Sequence, residues 1–306
     1  MKPKYSLKST NVIQLAPCFL FLIITCSLQG QSFEKLSRLE TTQTPTFFSE
    51  GANDQAQAMA ASIDGALAFY NKHVGFKPNV TLLVLSPDDW GNYTNHPVYG
   101  MPHYTDSKTL VVASENNPFW KGFLPPLEKL PNQLAEKIRS TYTNKEGNLN
   151  LQPFFDLIAI HELGHAYHIQ GNLNIQRKWL GELFCNVFLH TYIAEKEPYL
   201  LPALTVFPEM VVSTANADQF PFTTLAELEA NYREITTKNP DNYGWYQSRL
   251  HRAAGNIYDE GGIEAFQKFW VALKKQNEDL NNSLLISFLS EQVHQSVADV
   301  ILEWDK

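Results

Sequence analysis

The chain has 306 residues, 44% of them hydrophobic, and carries 24 Lys and Arg against 32 Asp and Glu. That length and apolar content can bury a sizeable core, while the acidic balance argues against nucleic acid and against electrostatic binding to anionic membranes. No internal repeat or low-complexity tract is present. Of the three cysteines only Cys185 lies beyond the first 30 residues, which excludes a disulfide framework or a cysteine-zinc site in an exported form.

At the N-terminus Lys2, Lys4 and Lys8 precede an apolar run over residues 19–24, the pattern of an export signal over residues 1–30 that is too short to span a bilayer. Cleavage near Gly30 leaves 21 basic and 32 acidic side chains, a net charge near −11. Ile23-Ile24-Thr25-Cys26 resembles a bacterial lipobox with Thr25 at the small-residue position. The exported chain is therefore either free after cleavage near Gly30 or lipid-anchored at Cys26, its one candidate membrane attachment, and the expected compartment is periplasmic or extracellular. The sequons beginning at Asn79, Asn92 and Asn281 matter only in a eukaryotic source.

Residues 53–74 are alanine-rich and periodic and predict a helix; 79–85 read as a strand ending at Ser86-Pro87, and 109–113 as a second strand. Between the strands, residues 99–104 form a loop or an edge strand. A helix is expected over 124–140 and a polar loop over 144–150. From Phe154 to Ile169 the chain is almost continuously apolar, with Gly171-Asn172 as a helical stop. Further helices are expected over 178–195, 197–213, 224–236, 243–258, 262–277 and 283–303. The expected fold is α+β: an α/β lobe with a small mixed sheet over residues 31–175, a helical lobe over 176–306, and a cleft between them.

The helix after residue 154 contains His161-Glu162-Leu163-Gly164-His165, an H-E-x-x-H motif. Residues four apart share a helix face, so two imidazoles can grip one metal ion with Glu162 beside the open position. Glu182 is a carboxylate in an otherwise apolar helix, where burial without a partner costs several kcal/mol; serving as the third metal ligand removes that cost. Asn186 follows one turn later and can accept a hydrogen bond from a ligand imidazole. Cys185, between Phe184 and Asn186, reads as a small buried hydrophobe.

These residues resemble the gluzincins, the zinc metallopeptidases typified by thermolysin and the large aminopeptidases. That family carries H-E-x-x-H on one helix, a glutamate ligand on the next, and an acid one turn later that orients a histidine. His161, Glu162, His165 and Glu182 match, and the resemblance covers about residues 150–195. The interval from His165 to Glu182 is shorter than in the best-known members, and Asn186 stands where the family has an acid. The resemblance implies a zincin-like fold, one Zn2+ and a peptide or protein substrate. Glu162 is then the general base, and a tyrosine or histidine donates to the oxyanion. Tyr243, Tyr246 and His251 are the candidates for that donor. His168 reads as a polar rim residue, since metzincins have glycine there and histidine at 171, where this chain has Gly171. Gly100-Met101-Pro102-His103 only faintly matches the aminopeptidase element and lacks its acid, which favours an endopeptidase. The alternative is a non-catalytic exported or cell-envelope protein with a vestigial site, for which an intact Glu162 has no use.

Overall fold

Two runs of Val and Leu, too apolar to face water on either side, form the centre of a small sheet. The computed structural model describes residues 33–40 and 42–305; the expected export signal, with Cys26, lies outside the described residues. In chain order the first elements are β1 (Ser37–Arg38), β2 (Thr46–Phe48), α1 (Asn53–Val74), β3 (Thr81–Leu85), α2 (Pro87–Tyr93), β4 (His103–Tyr104) and β5 (Thr109–Ala113). The sheet order is β1-β2-β3-β5-β4. β2, β3 and β5 run parallel and the short edges β1 and β4 antiparallel, with Leu83 opposite Phe47 and Val111. The fold is thus α+β, with a small mixed sheet and a mostly helical body.

The helices that follow are α3 (Pro118–Lys121), α4 (Asn132–Tyr142), α5 (Gln152–Gln170), α6 (Lys178–Lys196), α7 (Leu201–Thr214), α8 (Leu225–Lys238), α9 (Pro240–Lys275), α10 (Asn282–Gln292) and α11 (Gln295–Glu303). The single helix expected over 124–140 is not formed. Pro125 and Pro126 lead instead into a short 3-10 turn at Leu127–Lys129, and α4 begins only after Pro131. α2 was not expected: Pro87 occupies its first turn, and the Ser86 hydroxyl accepts the amide of Asp89. α9 carries the two helices expected there through a break at Gly262, whose φ of 56° and ψ of −159° suit glycine alone.

The described residues from Lys35 onward form one compact unit, and α6 runs through it. Every residue from Trp179 to Ile193 is buried. A helix apolar on all sides must be covered on all sides; α5, α7, α8 and α9 do so. Aromatic rings cement these contacts: Phe188 stacks on Tyr70 at 3.8 Å, and Phe184 meets Phe266 at 5.5 Å and Phe269 at 5.6 Å. On the sheet side Trp120 stacks on Phe155 of α5 at 4.8 Å, and β4 lies against α5 at the edge of the sheet. Among the described residues no helix is long and apolar enough to cross a membrane.

Candidate metal centre

The site forms where α5 and α6 come unusually close. Gly164, between the two motif histidines, permits the approach: a Cβ there would lie 3.0 Å from the Cys185 Cα and 3.2 Å from its Sγ. Any side chain at 164 pushes α6 away, and with it Glu182. Asn150 helps to start α5 by accepting the amide of Gln152 at 2.8 Å.

Glu182 Oε2 lies 3.3 Å from His161 Nε2 and 3.8 Å from His165 Nε2. Ligands about 2.1 Å from a tetrahedral metal are separated by about 3.4 Å, the edge of that tetrahedron. The two oxygen–nitrogen spacings lie close to that edge. Cys185 on the same helix is a second candidate for the third ligand, since its Sγ and one nitrogen from each of His161 and His165 lie within 4.8 Å of one another. Burial pushes its thiol well above the usual range, and Glu182 and Glu162 push it further. Glu182 Oε2 faces both imidazole nitrogens, so either side chain is placed to complete a three-ligand set with the two histidines.

A chain of hydrogen bonds fixes the inner half of the site. His161 Nδ1 donates to Asn186 Oδ1 at 2.9 Å, because that oxygen only accepts, and its Nε2 faces Glu182. Asn186 Nδ2 donates to Gln247 Oε1 at 3.1 Å, and Gln247 Nε2 donates to Glu182 Oε2 at 2.7 Å and to the Tyr243 hydroxyl at 2.8 Å. Tyr232 donates to Glu182 Oε1 at 2.6 Å. Burial alone would raise the Glu182 pKa; the hydrogen bond from His161, the two imidazoles and Tyr232 instead hold it well below the usual carboxylate range. Burial also opposes charge on His161, but Glu182 outweighs it and holds that imidazole above its usual value.

The outer half is built differently. His165 Nδ1 pairs with His168 Nε2 at 3.0 Å. Burial pushes the two rings down to about 3 and about 4, so both are neutral. The His165 side chain is 22% exposed against 6% for His161 and Glu182, so the centre opens on the His165 side. Glu162 is half-buried, and burial raises its carboxyl to about 7, with His161 opposing the shift. The Tyr104 hydroxyl of β4, whose ionisation burial opposes and Glu162 and Cys185 oppose further, is enclosed without a hydrogen-bond partner among the described residues.

The structure therefore brings His161, His165, Glu182 and Asn186 together with Glu162 beside them, and adds Tyr243 through Gln247. His251 also belongs to the neighbourhood, its ring 6.2 Å from that of His161. Tyr246 does not: its hydroxyl donates to Thr224 O at 2.8 Å and its ring stacks on Trp304, on the far face of α9. An aromatic stripe on a helix has two sides, and Tyr246 faces the core. His168 is not a free rim residue but the partner of His165. Gln247 and Tyr232 were not anticipated; Gln247 lies one turn beyond Tyr243, whereas Tyr232 carries no signal in its neighbourhood. Against models of known families, characterised proteins and solved structures, the chain has no match.

Proposed function

We propose that the protein is a zinc-dependent metallopeptidase, with His161, His165 and Glu182 holding the metal and Glu162 as general base. The convergence of two motif imidazoles and the Glu182 carboxylate at tetrahedral spacing carries this reading. Zinc held there supplies a Lewis acid for the scissile carbonyl and lowers the pKa of water toward neutrality. Glu162, half-buried beside the two imidazoles, would take a proton from water and return it to the leaving amine. Asn186 holds His161 with its proton on Nδ1, and a proton on His165 Nδ1 donated to His168 Nε2 would leave the His165 Nε2 available in the same way. The edge strand β4 beside α5 offers unpaired backbone to an extended peptide, in the manner of a zincin. His251 and Tyr243, rather than Tyr246, are then the candidate oxyanion donors.

The test separates metal from base. Glu162→Gln is expected to retain about one zinc per chain and to lose at least about a hundredfold in peptide hydrolysis, whereas His165→Ala is expected to lose high-affinity zinc. Near-normal turnover by the glutamine variant, or full zinc retention by the alanine variant, would sink the assignment.

A further inference from the structure

Gln247 on α9 touches the candidate metal centre at two points. Its Nε2 donates to Glu182 Oε2 at 2.7 Å, and its Oε1 accepts from Asn186 Nδ2 at 3.1 Å. Asn186 in turn accepts from His161 Nδ1 at 2.9 Å, and the Nε2 of that imidazole lies 3.3 Å from the same Glu182 oxygen. Four side chains from three helices therefore close a ring: α5 gives His161, α6 gives Glu182 and Asn186, and α9 gives Gln247.

The ring has a sense, and one member sets it. A side-chain amide has a donor end and an acceptor end and fits its place in two orientations, whereas a carboxylate only accepts. Glu182 thus obliges Gln247 to present its NH2 group, which leaves Oε1 for Asn186. That oxygen obliges Asn186 to present its own NH2 group, which leaves Oδ1 for a proton on His161 Nδ1. Turning Asn186 round brings two acceptors face to face at 3.1 Å, and turning Gln247 as well only moves the clash to the 2.7 Å contact with the carboxylate. Asn186 is fully buried, which keeps water from relieving the mismatch. The remaining contacts do not set the sense of the ring. The Tyr243 hydroxyl, 2.8 Å from Gln247 Nε2, both donates and accepts, and Tyr232 donates to the other carboxylate oxygen at 2.6 Å.

We propose that Gln247 is a positioning residue through which Glu182 fixes the proton of its fellow ligand: acting through two amides, the carboxylate keeps the His161 proton on Nδ1 and its Nε2 free for the metal. The proposal rests on the ligand set of the peptidase reading and names what makes two of its members depend on each other.

A double-mutant cycle on the full chain tests it, with zinc affinity measured by competition with a chelator. Gln247→Met keeps the length of the side chain and removes both ends of its amide, so Asn186 is free to turn. Zinc affinity is expected to fall by about ten- to a hundredfold, the range for a lost partner of a ligand. Asn186→Asp offers His161 an acceptor in either orientation and makes the relay unnecessary. In that background Gln247→Met is expected to change affinity by no more than about twofold, the scatter of independent sites. Gln247→Ser, which leaves room for water where the amide stood, frees Asn186 equally and serves if the methionine variant does not fold.

Nuclear magnetic resonance of the His161 Nδ1 proton in the zinc-loaded chain gives a second readout. Its exchange with solvent is expected to quicken by more than about tenfold in Gln247→Met, as local opening grows, and to return to the wild-type rate when Asn186→Asp is added. The proposal is overturned if Gln247→Met costs the same factor in both backgrounds, which would make it a prop for Glu182 alone, or if it leaves affinity and proton exchange unchanged. A wild-type chain that binds no zinc takes down the metal reading and the relay together. If the cycle behaves as expected and the zinc-loaded chain cuts no peptide, the peptidase reading falls and the relay stands.

Discussion

His161 and His165 sit one helical turn apart on α5 and face the same carboxylate, yet their surroundings are opposite. His161 is sealed in, and its Nδ1 is held by an amide that is itself held by Gln247 from a third helix. His165 is more exposed, and its Nδ1 is held only by His168, a neighbour on the same helix. The inner ligand is positioned by tertiary structure and the outer by a local contact. A site of this kind has a rigid wall and an open door, and Glu162, the proposed general base, lies beside the door. Metal affinity is therefore expected to depend on the inner side, and access to substrate on the outer.

Zinc affinity, measured by competition with a chelator, can break that comparison. The largest loss is expected from Gly164→Val, which forces α6 off α5 at the Cys185 backbone and displaces Glu182 from both histidines; affinity should fall by more than about a hundredfold, since removing a well-placed partner alone costs ten- to a hundredfold. Wild-type affinity in this variant would show that the close helix approach does not place Glu182.

The comparison is sharpened by two leucine variants read in the same assay. Asn186→Leu should cost about ten- to a hundredfold, and His168→Leu less than about tenfold, because His165 keeps solvent as an alternative partner. An effect of His168→Leu equal to or larger than that of Asn186→Leu would reverse the assignment of wall and door.

The smallest effect on zinc is expected from Asp156→Asn, and here pH supplies the signature. Burial raises Asp156 to about 7, with the Gln55 amide opposing the shift, while an unfolded aspartate ionises near 4. The folded chain therefore holds a proton that the unfolded chain has released. Wild-type stability falls as pH rises from about 4 to about 7, because the unfolded state binds fewer protons over that window. The asparagine variant escapes this loss and should be more stable by up to about 4 kcal/mol at pH 8, with no difference at pH 3 and unchanged zinc affinity. Equal melting temperatures at pH 8 would show that Asp156 is not held neutral.

Local patterns were legible in the sequence and distant partnerships were not. The apolar period of residues 53–74 and the continuous apolar stretch around the motif translate directly into α1 and α5, since one helix face or all faces must be buried. Glu182 and Asn186 could be read because a polar residue in a buried helix demands a partner. The strands β1 and β2, of two and three residues, are too short to alternate visibly. α2 is set by its cap rather than by apolar spacing, and the prolines that interrupt residues 124–140 outweighed a helical period. Gln247 belongs to the site only through a contact with Glu182 65 residues away. Nothing in the neighbourhood of residue 247 encodes that pairing, and nothing on the helix distinguishes the facing of Tyr243 from that of Tyr246.

The path His161–Asn186–Gln247–Glu182 joins residues 25, 61 and 65 positions apart. During synthesis the motif helix leaves the ribosome about 80 residues before Gln247 does, and domains fold as units once their long-range partners are present. Until then the histidines have at most His168 and Asn186 as partners and Glu182 has Tyr232, while the amide that ties Asn186 to the carboxylate is missing. The order of the chain thus acts as a safety catch on the proposed site: metal capture and any hydrolytic competence would wait for the helical body to close, and a truncated or half-made chain would carry the motif without the full site.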